Sequence, residues 1–179
     1  MTNEIELTTV YAGRHLSMLT RGNWEFATRN TKKPAVGIVA ITDAGNVVLV
    51  EQYRPPVGQN VIELPAGLSG DIPGAEEEVL VEAAQRELME ETGYTANQWT
   101  EIGSGFSSPG LTDESIVFFL AQGLVKQGAG GGDESENITV HEVALDNVLT
   151  WLSKCKTTVD LKLLAALYAV QVHLKAGKS

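Results

Sequence analysis

Glu87, Glu90 and Glu91 lie in the string Arg86-Glu87-Leu88-Met89-Glu90-Glu91-Thr92-Gly93-Tyr94. On a helix, spacings of three and four residues would put all three carboxylates on one face. Like charges so placed cost roughly a few tenths of a kcal/mol in an isolated helix. A hard divalent cation would remove that cost by taking the oxygens as ligands; Mg²⁺ is the first candidate, with Mn²⁺ as a substitute. Glu-rich helix faces are more often just solvated, so these three acids do not decide the matter alone.

The elements that must position them can be read around the string. Glu76 to Glu91 contains no Pro or Gly and is rich in Ala, Leu and Glu, which predicts a helix capped by Gly93. Glu78, nine residues before Glu87, falls toward the side of the acidic face. Gly70, Pro73 and Gly74 mark a long loop between Gly67 and that helix. Upstream, Ala35 to Ile41, Val47 to Gln52 and Val61 to Leu64 are β-forming runs, and Pro55-Pro56 ends the second of them. Downstream, Trp99 to Phe106 and Ser115 to Gln122 read as strands around a loop at 107–114, and Ile138 to Leu145 reads as another. Between these lies Gly128-Ala129-Gly130-Gly131-Gly132, which reads as a flexible segment. Asp146 is the expected cap of a helix through Lys154. Thr157 or Thr158 is the expected cap of a last helix with the stripe Leu163, Leu167, Val170 and Leu174.

Ile5 to Ala12, His15 to Thr20 and Asn23 to Arg29 predict three short strands, the last two joined at Arg21-Gly22. So small a unit has little core and should lean on the main domain or on a second subunit. The expected division is therefore 1–34, a small N-terminal β unit, and 35–179, the main domain. Strands before and after a central helix, closed by a terminal helix, imply a mixed sheet covered on two faces, an α/β class.

Composition narrows the partners. The 179 residues carry 23 acids against 13 bases, a net charge of −10, which disfavours nucleic acids and anionic membranes. A small anion remains possible if cations and placed arginines reverse the sign locally. No apolar run is long enough to span a membrane. Met1-Thr2-Asn3-Glu4 does not open a signal peptide, and Cys155 is the single cysteine, so a cytoplasmic protein is expected.

The full string Glu78-x7-Arg86-Glu87-Leu88-x-Glu90-Glu91-x-Gly93-Tyr94 resembles the signature of the Nudix hydrolases. It departs in one place: ten residues separate Gly67 from Glu78, where the family usually has five before its first Glu. Trp24-Glu25-x-x-x-Arg29, Glu51-Gln52-Tyr53-Arg54-Pro55-Pro56 and Ile62-Glu63-Leu64-Pro65-Ala66-Gly67 resemble a narrower group, the ADP-ribose pyrophosphatases and related nucleoside diphosphate sugar hydrolases. Pro109, fifteen residues past Tyr94, fits the same group.

That resemblance implies the α/β/α sandwich of the Nudix fold and a Mg²⁺-dependent hydrolysis of a nucleoside diphosphate sugar. It implies metal ligation by Glu87, Glu90, Glu91 and the Ala66 carbonyl, with Arg86 pairing with and orienting Glu90. Trp24 would stack on the base, while Arg29 and Arg54 would hold phosphate or the terminal sugar. Glu63 would orient substrate or water, Pro109 marks the substrate side, and Glu114 is a further candidate there. The general base would be a loop acid just before a strand: Glu136 first, Glu134 second. A homodimer with exchanged N-terminal strands is implied as well. Two alternatives stay open: a Nudix hydrolase of another nucleotide, and a non-catalytic module that senses a nucleotide sugar.

Overall fold

The computed structural model describes residues 6–31, 33–70, 74, 76–132 and 137–177. Glu134 and Glu136 lie outside that set. The N-terminal strands β1 (Leu7–Ala12), β2 (Leu16–Arg21) and β3 (Trp24–Arg29) form an antiparallel sheet of their own. Gly22 turns β2 into β3 at a φ of 62°, a left-handed value that costs Gly nothing. The sheet buries Leu19 and leaves Leu7, Val10, Tyr11, Leu16 and Met18 exposed. Its last strand ties it to the rest: Ala27 N donates to Leu111 O (2.9 Å), Thr28 Oγ1 to Asp113 (3.0 Å), and Arg29 pairs with Glu114.

The second sheet contains β4 (Ala35–Ile41), β5 (Asn46–Arg54), β6 (Gln59–Glu63), β7 (Ala66–Leu68), β8 (Tyr94–Phe106), β9 (Ser115–Lys126), β10 (Thr139–Ala144) and β11 (Thr158–Val159). Its order is β11-β6-β5-β4-β9-β8, with β10 on β5 and β7 on β4. The β4/β9 and β6/β11 pairs are parallel, and the other pairs are antiparallel. Helix α1 (Leu80–Thr92) sets Ala83, Ala84 and Leu88 on Val36, Ile38 and Val48. Helices α2 (Val148–Lys154) and α3 (Leu161–Ala176) cover the opposite face, where Leu152, Leu163 and Leu167 meet Val39, Leu49 and Ile62. The expected α/β/α sandwich is the observed one. Burial on both faces explains why β4 is apolar throughout instead of alternating.

One irregularity makes room for a site. β4 pairs with β5 only at Ala40 and Ile41, whereas Ala35 to Gly37 pair with β7. The two central strands therefore diverge, and a wedge opens between them at the start of β4.

Several expectations are corrected. Helix α1 begins at Leu80, so Glu78 precedes it; Val79 is extended (φ −80°, ψ 152°), and Ser69 Oγ donates to the Glu78 carbonyl at 2.9 Å. Asp146 is not a cap, since Asn147 holds that place with no side-chain bond, and Asp160 caps α3 instead of either threonine. The short strands β7 and β11 exist only through pairing with distant partners. Nor is the glycine run a free linker where it is described. The Gly131 and Gly132 amides donate to the carbonyls of Glu91 (2.9 Å) and Glu90 (3.1 Å), at the end of α1 where carbonyls lack helical partners.

Candidate active site

The wedge widens into a cleft of about 560 Å³. Helix α1 presents Glu87 and Glu91 to it, β5 and β6 present Arg54 and Glu63, and Arg29 pairs with Glu114 at its rim. Residues as far apart in sequence as Arg29 and Glu114 are thus brought to one place. Glu91 is 3% exposed, and its Oε2 accepts from the Ala66 amide at 3.0 Å, which ties the helix to β7. Glu87 approaches the chain itself: a Cβ on Gly67 would lie 1.9 Å from its carboxyl carbon. Only glycine leaves space for that carboxylate.

Arg86 organises the acids around it. Its guanidinium donates to both oxygens of Glu78 (3.1 and 3.2 Å), to Glu87 Oε1 (2.7 Å), to Glu90 Oε2 (3.4 Å) and to the Leu68 carbonyl (3.0 Å). Burial works to lower the Arg86 pKa, but the bonds to Glu78 and the charge of Glu87 prevail and raise it. Its expected partner Glu90 is the most distant of these carboxylates and lies toward solvent, with 53% of its side chain exposed. Glu78 is held below the ordinary carboxylate range by the Arg86 bond, against the effect of burial. Its part in the described structure is to fix Arg86.

Across the cleft, Arg54 Nε pairs with Glu63 Oε2 at 2.6 Å. Burial pushes the Glu63 carboxyl up despite Arg54, and the neighbouring charge of Asp160 pushes the same way. Asp160 and Lys162, neither singled out by the sequence, also line the cleft as an ion pair. The signal for Asp160 was its type just before an apolar helix, which the preceding threonines shared.

A second, more apolar pocket of about 260 Å³ adjoins through β3 and the 107–114 loop. Trp24, Phe26, Phe106 and Pro109 line it, with Arg21 and Asp113 at its polar side. Trp24, expected to stack on the base, and Pro109, expected on the substrate side, therefore line one pocket. Phe106 and Phe26 were missed, because a strand phenylalanine reads as core.

Among the described residues, no three acidic, histidine or cysteine side chains are gathered tightly enough to hold an ion alone. The donor chemistry nonetheless fits a hard cation. Glu63, Glu87, Glu91, Glu114 and Asp160 line the cleft against only Arg29, Arg54 and Lys162. An anionic ligand would meet excess negative charge there without a cation. The Gly67 cradle holds Glu87 at the inner wall, where a ligating carboxylate would be needed.

Comparison with known proteins assigns the chain to a family. The NUDIX domain family pattern matches residues 31–166. An ADP-ribose pyrophosphatase of Bacillus subtilis is 39% identical over 138 residues, 76% of this chain and 70% of that protein. A methanol dehydrogenase activator of Bacillus methanolicus is 38% identical over 142 residues, 78% of this chain and 72% of its own. A crystal structure titled ADP compounds hydrolase superposes with a TM-score of 0.75 at 25% identity, covering 97% of this chain and 94% of that one. The chain belongs to the Nudix family.

Proposed function

We propose that this protein hydrolyses the pyrophosphate bond of nucleoside diphosphate sugars, ADP-ribose foremost, to a nucleoside monophosphate and a sugar phosphate. The observation that carries the reading is one cleft joining the α1 carboxylates to Arg29 and Arg54, beside a pocket walled by Trp24 and Pro109. Two relatives support it: the Bacillus subtilis ADP-ribose pyrophosphatase, and a GDP-mannose pyrophosphatase of Yersinia pestis at 32% identity over 138 residues, 72% of this chain and 66% of that protein.

In this reading Trp24 and Phe106 take the base between flat apolar faces, which gives affinity with little selectivity. Arg29 and Arg54 exchange their carboxylate partners for phosphate oxygens through charge-assisted bonds. Mg²⁺, or Mn²⁺ in its place, would be held by Glu87, Glu90, Glu91 and the Ala66 carbonyl, and would supply neutralisation of the diphosphate and a more acidic water. Arg86 keeps Glu87 and Glu90 oriented toward that task. A water adds to one phosphorus, its proton passes to Glu136, and the P–O bond to the other phosphate breaks. Glu134 is the second candidate for that proton. The exposed apolar residues of β1 and β2 serve a homodimer in which those two N-terminal strands are exchanged while β3 stays on its own subunit's Leu111, Asp113 and Glu114.

The test is turnover on ADP-ribose, ADP-glucose, GDP-mannose and UDP-glucose with Mg²⁺, for wild type and Glu91→Gln. Metal-dependent release of monophosphate, reduced by several orders of magnitude in the variant, is expected. A wild type that binds these compounds without cleaving them would make the protein a sensor. Faster cleavage of a nucleoside triphosphate or dinucleoside polyphosphate would move the substrate.

A further inference from the structure

We infer that Lys162, held by Asp160 at the start of α3, is a specificity-determining residue that contacts the terminal sugar. The inference rests on the proposed function and deepens it. It starts from the order of the strands. The aromatic pocket lies at the β3 and 107–114 side, next to Glu114, Ile116 and β9. The acids of α1 stand over the middle of the sheet, and β5 and β6 follow with Arg54 and Glu63. At the far edge comes β11, whose parallel pairing with β6 (Thr158 with Val61, Val159 with Ile62) continues as Asp160 N donates to Ile62 O at 3.0 Å. Asp160 is therefore set beside Glu63, and Lys162 one helical step further on.

A nucleoside diphosphate sugar has three chemically distinct parts in linear order. With the base in the aromatic pocket and the diphosphate over α1, the hydroxyl-bearing end falls on the β6/β11 edge. That edge offers what vicinal hydroxyls need: carboxylate acceptors in Asp160 and Glu63, and an ammonium donor in Lys162. Lys162 is placed by a double hold. Asp160 Oδ1 accepts from the Lys162 backbone amide (2.9 Å) while its Oδ2 pairs with the Lys162 ammonium. The pair leaves the Lys162 side chain 42% exposed and the Asp160 side chain 13% exposed, so the ammonium is the reachable member.

The experiment compares ADP-ribose with the methyl ester of ADP, which keeps base and diphosphate but has no terminal sugar. For Lys162→Gln the KM for ADP-ribose should rise roughly 10–100-fold, the range for one lost charge-assisted hydrogen bond, with kcat changed far less. On the methyl ester the rise should be at least tenfold smaller, and Lys162→Arg should recover most of the ADP-ribose affinity. An equal rise on both compounds would place Lys162 on the phosphates and overturn the inference. So would an unchanged KM on both. If the wild type cleaves ADP-ribose while either of those results holds, the subsite alone falls. A wild type that cleaves no diphosphate sugar removes the proposed function and this subsite with it.

Discussion

Replacing Gly67 by Ala separates folding from activity at a single atom. The new Cβ would stand 1.9 Å from the Cδ and Oε1 of Glu87 and 2.5 Å from its Cγ, whereas ordinary contact begins at 3.4 Å. The carboxyl must therefore retreat by about 1.5 Å, the difference between 3.4 and 1.9 Å. An Mg–O bond is about 2.0–2.1 Å long and the ion tolerates little distortion, so such a retreat takes Glu87 out of reach as a ligand. Misplacement on this scale costs roughly 10²-fold in rate or more. The fold should suffer little. Gly67 has no left-handed φ, and the obstructing atoms belong to the far end of a side chain that can rotate. An off-rotamer Glu87 costs about 0.5–1.5 kcal/mol. The stiffer unfolded chain of an Ala variant returns about 0.4–1 kcal/mol of that. The expected result is a kcat lowered 10²–10³-fold, a raised Mg²⁺ requirement, and a metal-free Tm within about 4 °C of wild type. Wild-type kcat and Mg²⁺ dependence in Gly67→Ala would refute the ligand role of Glu87. A melting point more than 10 °C lower would show that the backbone, not the side chain, takes up the clash.

Glu136→Gln should lower kcat roughly 10²–10⁴-fold with little change in KM, and Glu134→Gln far less; the reverse order would move the base by two residues. On the proposed homodimer, removal of residues 1–22 takes away β1 and β2, so the full chain should sediment as a dimer and the shortened chain as a monomer; a dimer of the shortened chain would mean that another surface pairs. Glu78→Gln should lower Tm at neutral pH, because the bidentate contact with Arg86 is lost. The folded-state pKa of Glu78 is depressed, so its contribution is complete above the unfolded value near 4.3 and fades as pH falls through the folded one. The Tm gap between wild type and Glu78→Gln should accordingly close on acidification; a gap constant down to pH 3 would show that the charge is not what matters.

Local pattern made much of this molecule readable. β4 and β5 are apolar runs bounded by turn residues, and the stripe Leu163, Leu167 and Val170 is buried as its spacing implies. The approach of Glu87 and Glu91 to Arg54 and Glu63 was legible only through family resemblance, because no local rule links α1 to β6. What remained hidden depends on pairing between distant segments. β7 and β11 are three and two residues long and have no signal apart from β4 and β6. Without β11, nothing in the sequence brings Asp160 beside Glu63. The start of α1 was misplaced for a similar reason: Glu76 to Val79 has helical composition, but Lys33, Ser69 and Arg86 claim its carbonyls and its carboxylate first.

The docking of the glycine run on α1 bears on how the protein opens. A Cβ at Gly93 would fall 2.2 Å from the Gly128 carbonyl oxygen, and one at Gly130 would fall 2.3 Å from the Thr92 carbonyl carbon. The two backbones are thus in mutual contact, and Gln127, Gly128, Gly131 and Gly132 all donate across the join. Residues 127–132 are thus expected to separate from the final turn of α1 as one unit. The Gln127, Gly128, Gly131 and Gly132 amides should exchange with solvent at a common rate, set by a single separation event instead of by independent fraying of a loop. Because that turn bears Glu90 and Glu91, each such event would also strip their backbone carbonyls of these partners.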